Sequence, residues 1–168
     1  MNAANSGVTS TSSNDQRVTT AGKFIRKFKI DEIVQLYNVF RGDMSLVGPR
    51  PQIPSEVNLY SEFEKGLLSI KPGITDFSSI IFSDEGEILK DSKDPNKDYN
   101  ILIRPWKSRL GIFYIENNNF IVDFKLIFFT IVSIFNRKRA LKFTSSLLKK
   151  LNAPNDLIEI AKREKSLY

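Results

Sequence analysis

The stretch that most constrains this chain is residues 29–51, which read KIDEIVQLYNVFRGDMSLVGPRP. Its apolar residues follow the spacing i, i+3, i+4, i+7 that is typical of an amphipathic helix. These residues are Ile30, Ile33, Val34 and Tyr37. The spacing predicts a helix over residues 30–40, which Gly42 is expected to end, and a compact loop that closes with Gly-Pro-Arg-Pro at residues 48–51.

Two acids stand side by side at the start of this predicted helix. Asp31 and Glu32 lie in its first turn, where the helix macrodipole favours negative charge. Basic residues flank the stretch on both sides: Lys23, Arg26, Lys27, Lys29, Arg41 and Arg50. For an isolated Asp-Glu pair, helix-start electrostatics is the commoner explanation. The ring of cations favours instead a site that handles phosphates together with a divalent metal.

The two carboxylates are expected to do different work, because consecutive helical residues point about 100° apart. One would hold a metal, and the other would attack or accept a proton. Mg²⁺ fits such a site, since it is bound by one or two carboxylates with water and substrate phosphate oxygens. Arg50 lies between two prolines that fix its backbone, so it is either a rigid phosphate ligand or an exposed residue in a structural turn.

Composition narrows the chemistry. The 168 residues form one domain, and the net charge of +6 indicates a polyanionic partner, whether nucleic acid, phospholipid headgroups or a phosphorylated substrate. The chain has no cysteine and no histidine. This excludes disulfides, thiolate metal sites and Ser-His-Asp triads, so catalysis would depend on carboxylates, amines, hydroxyls or phenols. Residues 1–20 show no signal peptide, and no apolar run reaches the roughly 18 residues of a spanning helix.

The rest of the chain predicts an α+β fold, a mostly helical single compact domain with a small β-sheet or hairpin and a membrane-associated surface. The expected order is a helix over residues 54–70, a sharp turn at 71–75, a short strand over 77–82, a polar loop over 84–98, renewed structure over 99–107, a turn at 117–119, an apolar helix from Asp123 to about Phe135, and a terminal helix within 153–168. The apolar helix should be buried or interfacial.

A basic block follows Asn136, with Arg137, Lys138, Arg139, Lys142, Lys149 and Lys150. It is either a solvated helix end or a contact with anionic lipid headgroups beside an apolar anchor.

Three motifs, in this order, resemble the bacterial sugar transferases, which are the monotopic polyprenyl-phosphate phosphoglycosyl transferases. They are IDEIVQLYNV at residues 30–39, GDMSLVGPRP at 42–51 and KPGIT at 71–75. The resemblance covers roughly residues 17–130. It implies a polar N-terminal segment over residues 1–22, a sugar transferase catalytic core over 23–136 and a basic C-terminal helical extension over 137–168.

The resemblance implies transfer of a sugar 1-phosphate from a nucleotide diphosphate sugar to polyprenyl phosphate, with release of the nucleoside monophosphate. This would be the first membrane step of surface polysaccharide or glycoconjugate synthesis, at the cytoplasmic face of the bacterial inner membrane. Asp31 would be the nucleophile and form a covalent phosphosugar intermediate. Glu32 would help to bind Mg²⁺, and the substrate phosphates would be bound by Arg26, Arg50 and Lys71.

The chain departs from the pattern of the family in three places. Val34 stands where many members have proline. Residues 76–80, DFSSI, stand where many members continue with Gly and an Ala-Gln pair, and the loop over 84–107 also differs, so the donor sugar is not specified. Met1 falls after the re-entrant membrane helix with which the family begins. We therefore expect membrane embedding to depend on residues 123–150 and the activity of this chain alone to be reduced or absent.

There are two rival hypotheses for the function of this chain. The chain could be a non-catalytic truncated remnant that docks on a membrane or on a partner transferase. A basic nucleic-acid-binding protein is disfavoured, because the cations are interleaved with acids and no nucleic-acid motif is present. A second copy of this chain, in a homo-oligomer, is a further candidate partner.

Overall fold

A computed structural model describes residues 35–164, together with Thr19 and Gly22. Its larger helices are α7 (Arg104–Asn117), α8 (Phe120–Phe135), α9 (Arg137–Lys150) and α10 (Asn155–Lys162). Shorter helices are α1 (Gln35–Phe40), α2 (Pro54–Val57), α3 (Glu62–Lys65), α4 (Phe77–Ile81), α5 (Glu85–Ile88) and α6 (Pro95–Asp98), with a 3₁₀ turn at Gly66–Ser69 and a π-helical turn at Tyr99–Ile103. The strands are β1 (Ser45–Val47) and β2 (Gly73–Thr75). The expected fold class, mostly helical with a small sheet, is confirmed.

Helix α1 ends where the sequence predicts. Its last residue is Phe40, and Gly42 takes a φ of 80°, which glycine adopts without steric cost. The start of the predicted helix, including Asp31 and Glu32, lies outside the described residues.

The sheet joins the second and third motifs. Strands β1 and β2 are parallel, with Ser45 opposite Gly73 and Val47 opposite Thr75. The Gly48 N–H donates to the Thr75 carbonyl and the Gly73 N–H donates to the Pro49 carbonyl, each at 2.9 Å. A Cβ at Gly73 would lie 2.1 Å from the Gly48 nitrogen, so only glycine allows the two segments to approach so closely. Part of the predicted turn at 71–75 is therefore a strand.

The prediction of a strand over residues 77–82 is wrong, because Asp76 starts helix α4 there. The Asp76 carboxylate accepts from the Ser79 N–H at 2.7 Å, and the Asp76 N–H donates to the Ser79 hydroxyl at 2.9 Å. This reciprocal capping box outweighs the β-propensity of the apolar run. Phe77, Ile80 and Ile81 are fully buried, and Ser78 and Ser79 between them are buried as well, so the helix is enclosed on all sides.

The prediction of one helix over residues 54–70 is also wrong. Helix α2 ends at Val57, and a capping box then begins α3, with the Ser61 N–H donating to the Glu64 carboxylate at 2.9 Å and the Glu64 N–H to the Ser61 hydroxyl at 3.3 Å. The expected polar loop over 84–98 contains the two short helices α5 and α6. Short capped segments of this kind carry too little periodicity to be separated by apolar spacing.

Helix α4 lies at the centre of the core, in contact with α7, α8, α9 and α10. The core includes Leu110, Leu126, Leu148 and Leu157, one from each surrounding helix. The Arg109 guanidinium on α7 pairs with Asp156 on α10 at 2.6 Å. The C-terminal helices therefore share one apolar core with the residues that precede them.

Helix α8 begins three residues earlier than Asp123, because the Asn119 side chain accepts from the Ile121 and Val122 N–H groups at 3.1 Å each. Its end at Phe135 is confirmed, as are the turn before it and a terminal helix within 153–168. One face of α8 is buried, while six large apolar side chains lie exposed on it: Phe120, Ile121, Phe124, Phe128, Ile131 and Phe135. Within residues 35–164, no helix is long and apolar enough to cross a bilayer.

Candidate active site

Two of the five predicted site residues lie in the described part of the chain. Arg50 is half-buried in the loop that follows β1, and Lys71 is exposed just before β2. The Lys71 ammonium lies 3.9 Å from the position a Cβ would take at Gly42, at the end of α1. Arg26, Asp31 and Glu32 lie outside the described residues, so their predicted roles stay predictions.

Arg50 lines a small cavity between the 48–51 loop and helix α7. The cavity has a volume of about 40 Å³. Its lining is mixed and comes from several elements: Pro49, Arg50, Gln52, Glu56, Tyr60, Leu67, Asp76, Ser78, Tyr99, Arg104, Lys107 and Ser108. Lys71 does not line it, so the structure assigns Arg50 and Lys71 to different parts of the surface around the sheet.

Glu64 anchors one wall of this cavity. Its carboxylate accepts from Arg104 Nε at 2.9 Å, from Arg104 Nη2 at 3.1 Å and from the Ser108 hydroxyl at 2.9 Å. Burial alone would raise the pKa of Glu64, but these bonds and the capping bond from Ser61 outweigh it and lower the pKa to about 2. Glu64 is therefore ionised near neutral pH, and it fixes the Arg104 guanidinium in place.

Lys107 and Glu85 form a second pair in the cavity wall. The Lys107 ammonium lies 2.5 Å from the Glu85 carboxylate and 5.3 Å from the centre of the Tyr99 ring. Burial lowers the pKa of Lys107, but the nearby carboxylate of Glu85 more than compensates and raises it above the ordinary lysine value. Lys107 therefore stays charged and acts as a fixed cation rather than a base.

Asp76 is 1% exposed and also lines the cavity. Both of its carboxylate oxygens accept from the Ser78 hydroxyl, at 2.9 and 2.8 Å. Burial raises the pKa of this carboxyl, although the bonds from Ser79 and Ser78 and the charge of Lys107 oppose the rise. Sequence reasoning noted residue 76 only as a departure from the family pattern and did not identify it as a site residue.

Sequence reasoning also missed Glu64, Arg104 and Lys107. The capping-box spacing between Ser61 and Glu64 was a usable signal for the start of α3. No local sequence signal predicts the pairing of Glu64 with Arg104, because Arg104 lies 40 residues further along the chain.

The described residues contain no group of three or more acidic side chains placed to hold a metal ion. The expected Mg²⁺ ligand, Glu32, lies outside them. Carboxylates with substrate phosphates remain the donor set that suits Mg²⁺.

The sequence profile of the family described as bacterial sugar transferase matches residues 1–137. The chain therefore belongs to the bacterial sugar transferase family.

Individual relatives agree with this assignment. The chain is 56% identical over 62 residues to the galactosyl transferase CpsE of Streptococcus agalactiae serotype III (strain NEM316), covering 37% of this chain and 14% of that protein. It is 34% identical over 118 residues to the uncharacterized sugar transferase EpsL of Bacillus subtilis (strain 168), covering 70% of this chain and 50% of that protein.

A third relative is the UDP-glucose:undecaprenyl-phosphate glucose-1-phosphate transferase of Klebsiella pneumoniae. It is 36% identical over 132 residues, covering 76% of this chain and 26% of that protein. The chain thus spans half or less of the length of these three relatives.

Proposed function

We propose that this chain carries the catalytic part of a phosphoglycosyl transferase. The enzyme would move a sugar 1-phosphate from a nucleotide diphosphate sugar to polyprenyl phosphate. The observation that carries the proposal is the pairing of β1 with β2, which fixes the Arg50 loop against the Gly73 segment beside a polar cavity. The Klebsiella pneumoniae relative, by its name, transfers glucose 1-phosphate from UDP-glucose to undecaprenyl phosphate.

The reaction would proceed by two displacements at one phosphorus atom. A carboxylate oxygen of Asp31 attacks the donor phosphorus that bears the sugar, the phosphoanhydride bond breaks, and the nucleoside monophosphate leaves. An oxygen of polyprenyl phosphate then attacks the same phosphorus, and the Asp31 carboxylate is released. The product is a polyprenyl diphosphate sugar.

The basic residues would bind the negative phosphates through both steps. The guanidinium groups of Arg50 and Arg26 would donate to phosphate oxygens, and the Lys71 ammonium would add a mobile positive charge. Glu32 would help to hold a Mg²⁺ ion, which neutralises phosphate charge when bound.

The acceptor of this reaction is a lipid, and the exposed face of α8 suits a membrane surface. Six large apolar side chains project from that face, and α9, which follows directly, carries the exposed cations Lys138, Arg139 and Lys142. Apolar contact combined with basic residues gives interfacial binding to anionic lipids. We place this contact at the cytoplasmic leaflet of the bacterial inner membrane.

The covalent intermediate provides the test. The protein in phospholipid vesicles is incubated with Mg²⁺ and a panel of nucleotide diphosphate sugars without acceptor, and its intact mass is measured. We expect a gain equal to one sugar phosphate, lost in Asp31→Asn and retained in Asp91→Asn, which changes an exposed aspartate. A chain that binds the vesicles but gains no mass with any donor would be the non-catalytic docking protein instead.

A further inference from the structure

Resting on the proposed function, we propose that the Arg50 cavity binds one small polar substituent of the donor sugar and thereby sets which sugar is transferred. Tyr60, Tyr99 and Ser78 would contact the substituent, and Asp76 would position Ser78. Four observations support the proposal. They are the small volume of the cavity, the presence of Arg50 in its lining, the ion pairs that hold Arg104 and Lys107, and the hydroxyl groups that can still bond to a ligand.

The size of the cavity limits its occupant. A buried water needs about 10–15 Å³ of such volume, so about 40 Å³ holds only a few waters. Sites for whole drug-sized ligands or cofactors measure roughly 300–1,000 Å³. The cavity is therefore too small for a nucleoside or a complete sugar ring, and it matches a hydroxyl, hydroxymethyl or acetamido group.

The position of the cavity favours the sugar end of the donor. Arg50, the proposed phosphate ligand, forms part of its lining. A sugar 1-phosphate carries its ring directly on the phosphate, so a ring substituent can reach a cavity that the phosphate-binding residue itself lines. Pro49 and Leu67 add apolar surface beside the polar groups, which suits a substituent attached to a carbon ring.

Besides Arg50, the proposed phosphate ligand, the cations that line the cavity are already paired, so the cavity is poorly suited to a second phosphate. Arg104 is held by Glu64 and Lys107 by Glu85. A phosphate entering here would compete with these carboxylates for Arg104 and Lys107. A neutral polar group avoids that competition and still finds hydrogen-bond donors and acceptors.

The hydroxyl groups offer both kinds of hydrogen bond. The Ser78 hydroxyl donates to Asp76, so only its lone pairs remain for a ligand, and it would accept from a sugar O–H or N–H. Burial raises the pKa of Tyr60 and of Tyr99, so both phenols keep their protons and can donate. Donor and acceptor groups thus line one small space, as the recognition of a single hydroxyl or amide requires.

The test is a cycle of variants against donor analogues. The best donor is first selected from UDP-glucose, UDP-galactose and their 2-acetamido counterparts with the protein in vesicles containing polyprenyl phosphate. Analogues lacking the polar group at one ring position at a time are then compared with it. In the parent, we expect kcat/KM to fall about tenfold or more for one position, since a buried polar group loses its partner.

In Tyr60→Phe, Tyr99→Phe or Ser78→Ala, that same analogue should lose less than about threefold relative to the intact donor, because the partner is already absent. Asp76→Asn keeps a side chain that can cap α4, but it changes the partner that positions Ser78. We expect this variant to reduce the loss of kcat/KM for that same analogue, rather than to lower kcat/KM equally for all donors.

Tyr114→Phe is the matched control. This buried phenol donates to Asp123 at 2.7 Å and does not line the cavity, so its removal should affect every donor by the same factor. Equal penalties in the parent and in all the cavity variants would overturn the inference and leave the proposed function intact. A parent that transfers from no nucleotide sugar would overturn both.

Discussion

The wall of the Arg50 cavity and the outer face of α8 are both unfavourable for stability, but for opposite reasons. In the wall, charged groups are buried: the Glu64 side chain is 12% exposed and its partner Arg104 15%. On α8, apolar groups are exposed: Phe124 is 67% and Phe135 82% exposed. A buried ion pair adds little net stability over well-packed apolar residues, and exposed phenylalanines add none. We therefore attribute both regions to the binding roles proposed above, the cavity to the donor sugar and α8 to the membrane surface.

The largest effect is expected where the two motifs meet, beside the cavity wall. Gly73→Ala would place a Cβ 2.1 Å from the Gly48 nitrogen and 2.5 Å from the Val47 carbonyl carbon, which are backbone atoms that no rotamer change can move. We expect a loss of more than about 3 kcal/mol in the free energy of unfolding, measured by denaturant titration. Gly66→Ala is the control, because its new Cβ would meet only the end of the flexible Ile112 side chain, at 2.8 Å. Equal losses in both variants would contradict the assigned contact.

The next effect concerns the paired charges of the wall. Glu64→Ala would leave Arg104 without its carboxylate partner, and we expect a loss of about 3 kcal/mol in unfolding free energy. The double variant Glu64→Met/Arg104→Met should recover much of this loss, since no buried charge remains. Glu62→Ala is the exposed control, because its pair with Lys65 is mostly solvated and should change stability by less than about 1 kcal/mol. A double variant as unstable as Glu64→Ala would contradict the explanation.

Acid should reduce the stability that the Glu64–Arg104 pair contributes. The pKa of Glu64 falls from the ordinary 4.5 to about 2 in the folded state, so its contribution is present above pH 4.5 and is lost as the pH falls toward 2. The shift corresponds to at most about 3 kcal/mol. We therefore expect the unfolding free energy of the parent to fall more steeply over this range than that of Glu64→Gln, which has no carboxyl at this position. Parallel pH curves for the two proteins would contradict the prediction.

The sequence predicted the parts of the fold that depend on local signals. The end of α1 just before Gly42, the turn around residue 118 and the end of α8 all follow from residue type and apolar spacing. Strand β2 has only three residues, and its partner lies 28 positions earlier, so no periodicity reveals it. The segment at 77–82 was misassigned because apolar periodicity does not separate a short buried strand from a short buried helix.

The same distinction explains the site. Arg50 could be predicted as a site residue because its motif surrounds it with two prolines, whereas the Glu64–Arg104 and Glu85–Lys107 pairs join residues 40 and 22 positions apart. Only the tertiary fold, which sets Glu64 and Glu85 beside α7, brings those charges together. A single sequence therefore reveals the local motif around Arg50, but it does not reveal the ion pairs between distant residues that form the cavity wall.

The smallest effect on stability, and a clear one on binding, is expected on α8. Replacing both Phe124 and Phe135 by serine should change the unfolding free energy by less than about 0.5 kcal/mol, because both side chains are already mostly exposed. Binding to vesicles containing anionic lipid, measured by flotation, should weaken by about tenfold or more, since each phenylalanine would lose apolar area buried in the interface. Phe63→Ser is the matched control, because Phe63 is also an exposed phenylalanine, 54% exposed, but belongs to a different helix, α3. If Phe63→Ser weakened vesicle binding as much as the double variant on α8, the membrane contact would not be specific to α8. The proposed contrast between the cavity wall and the α8 face would then fail.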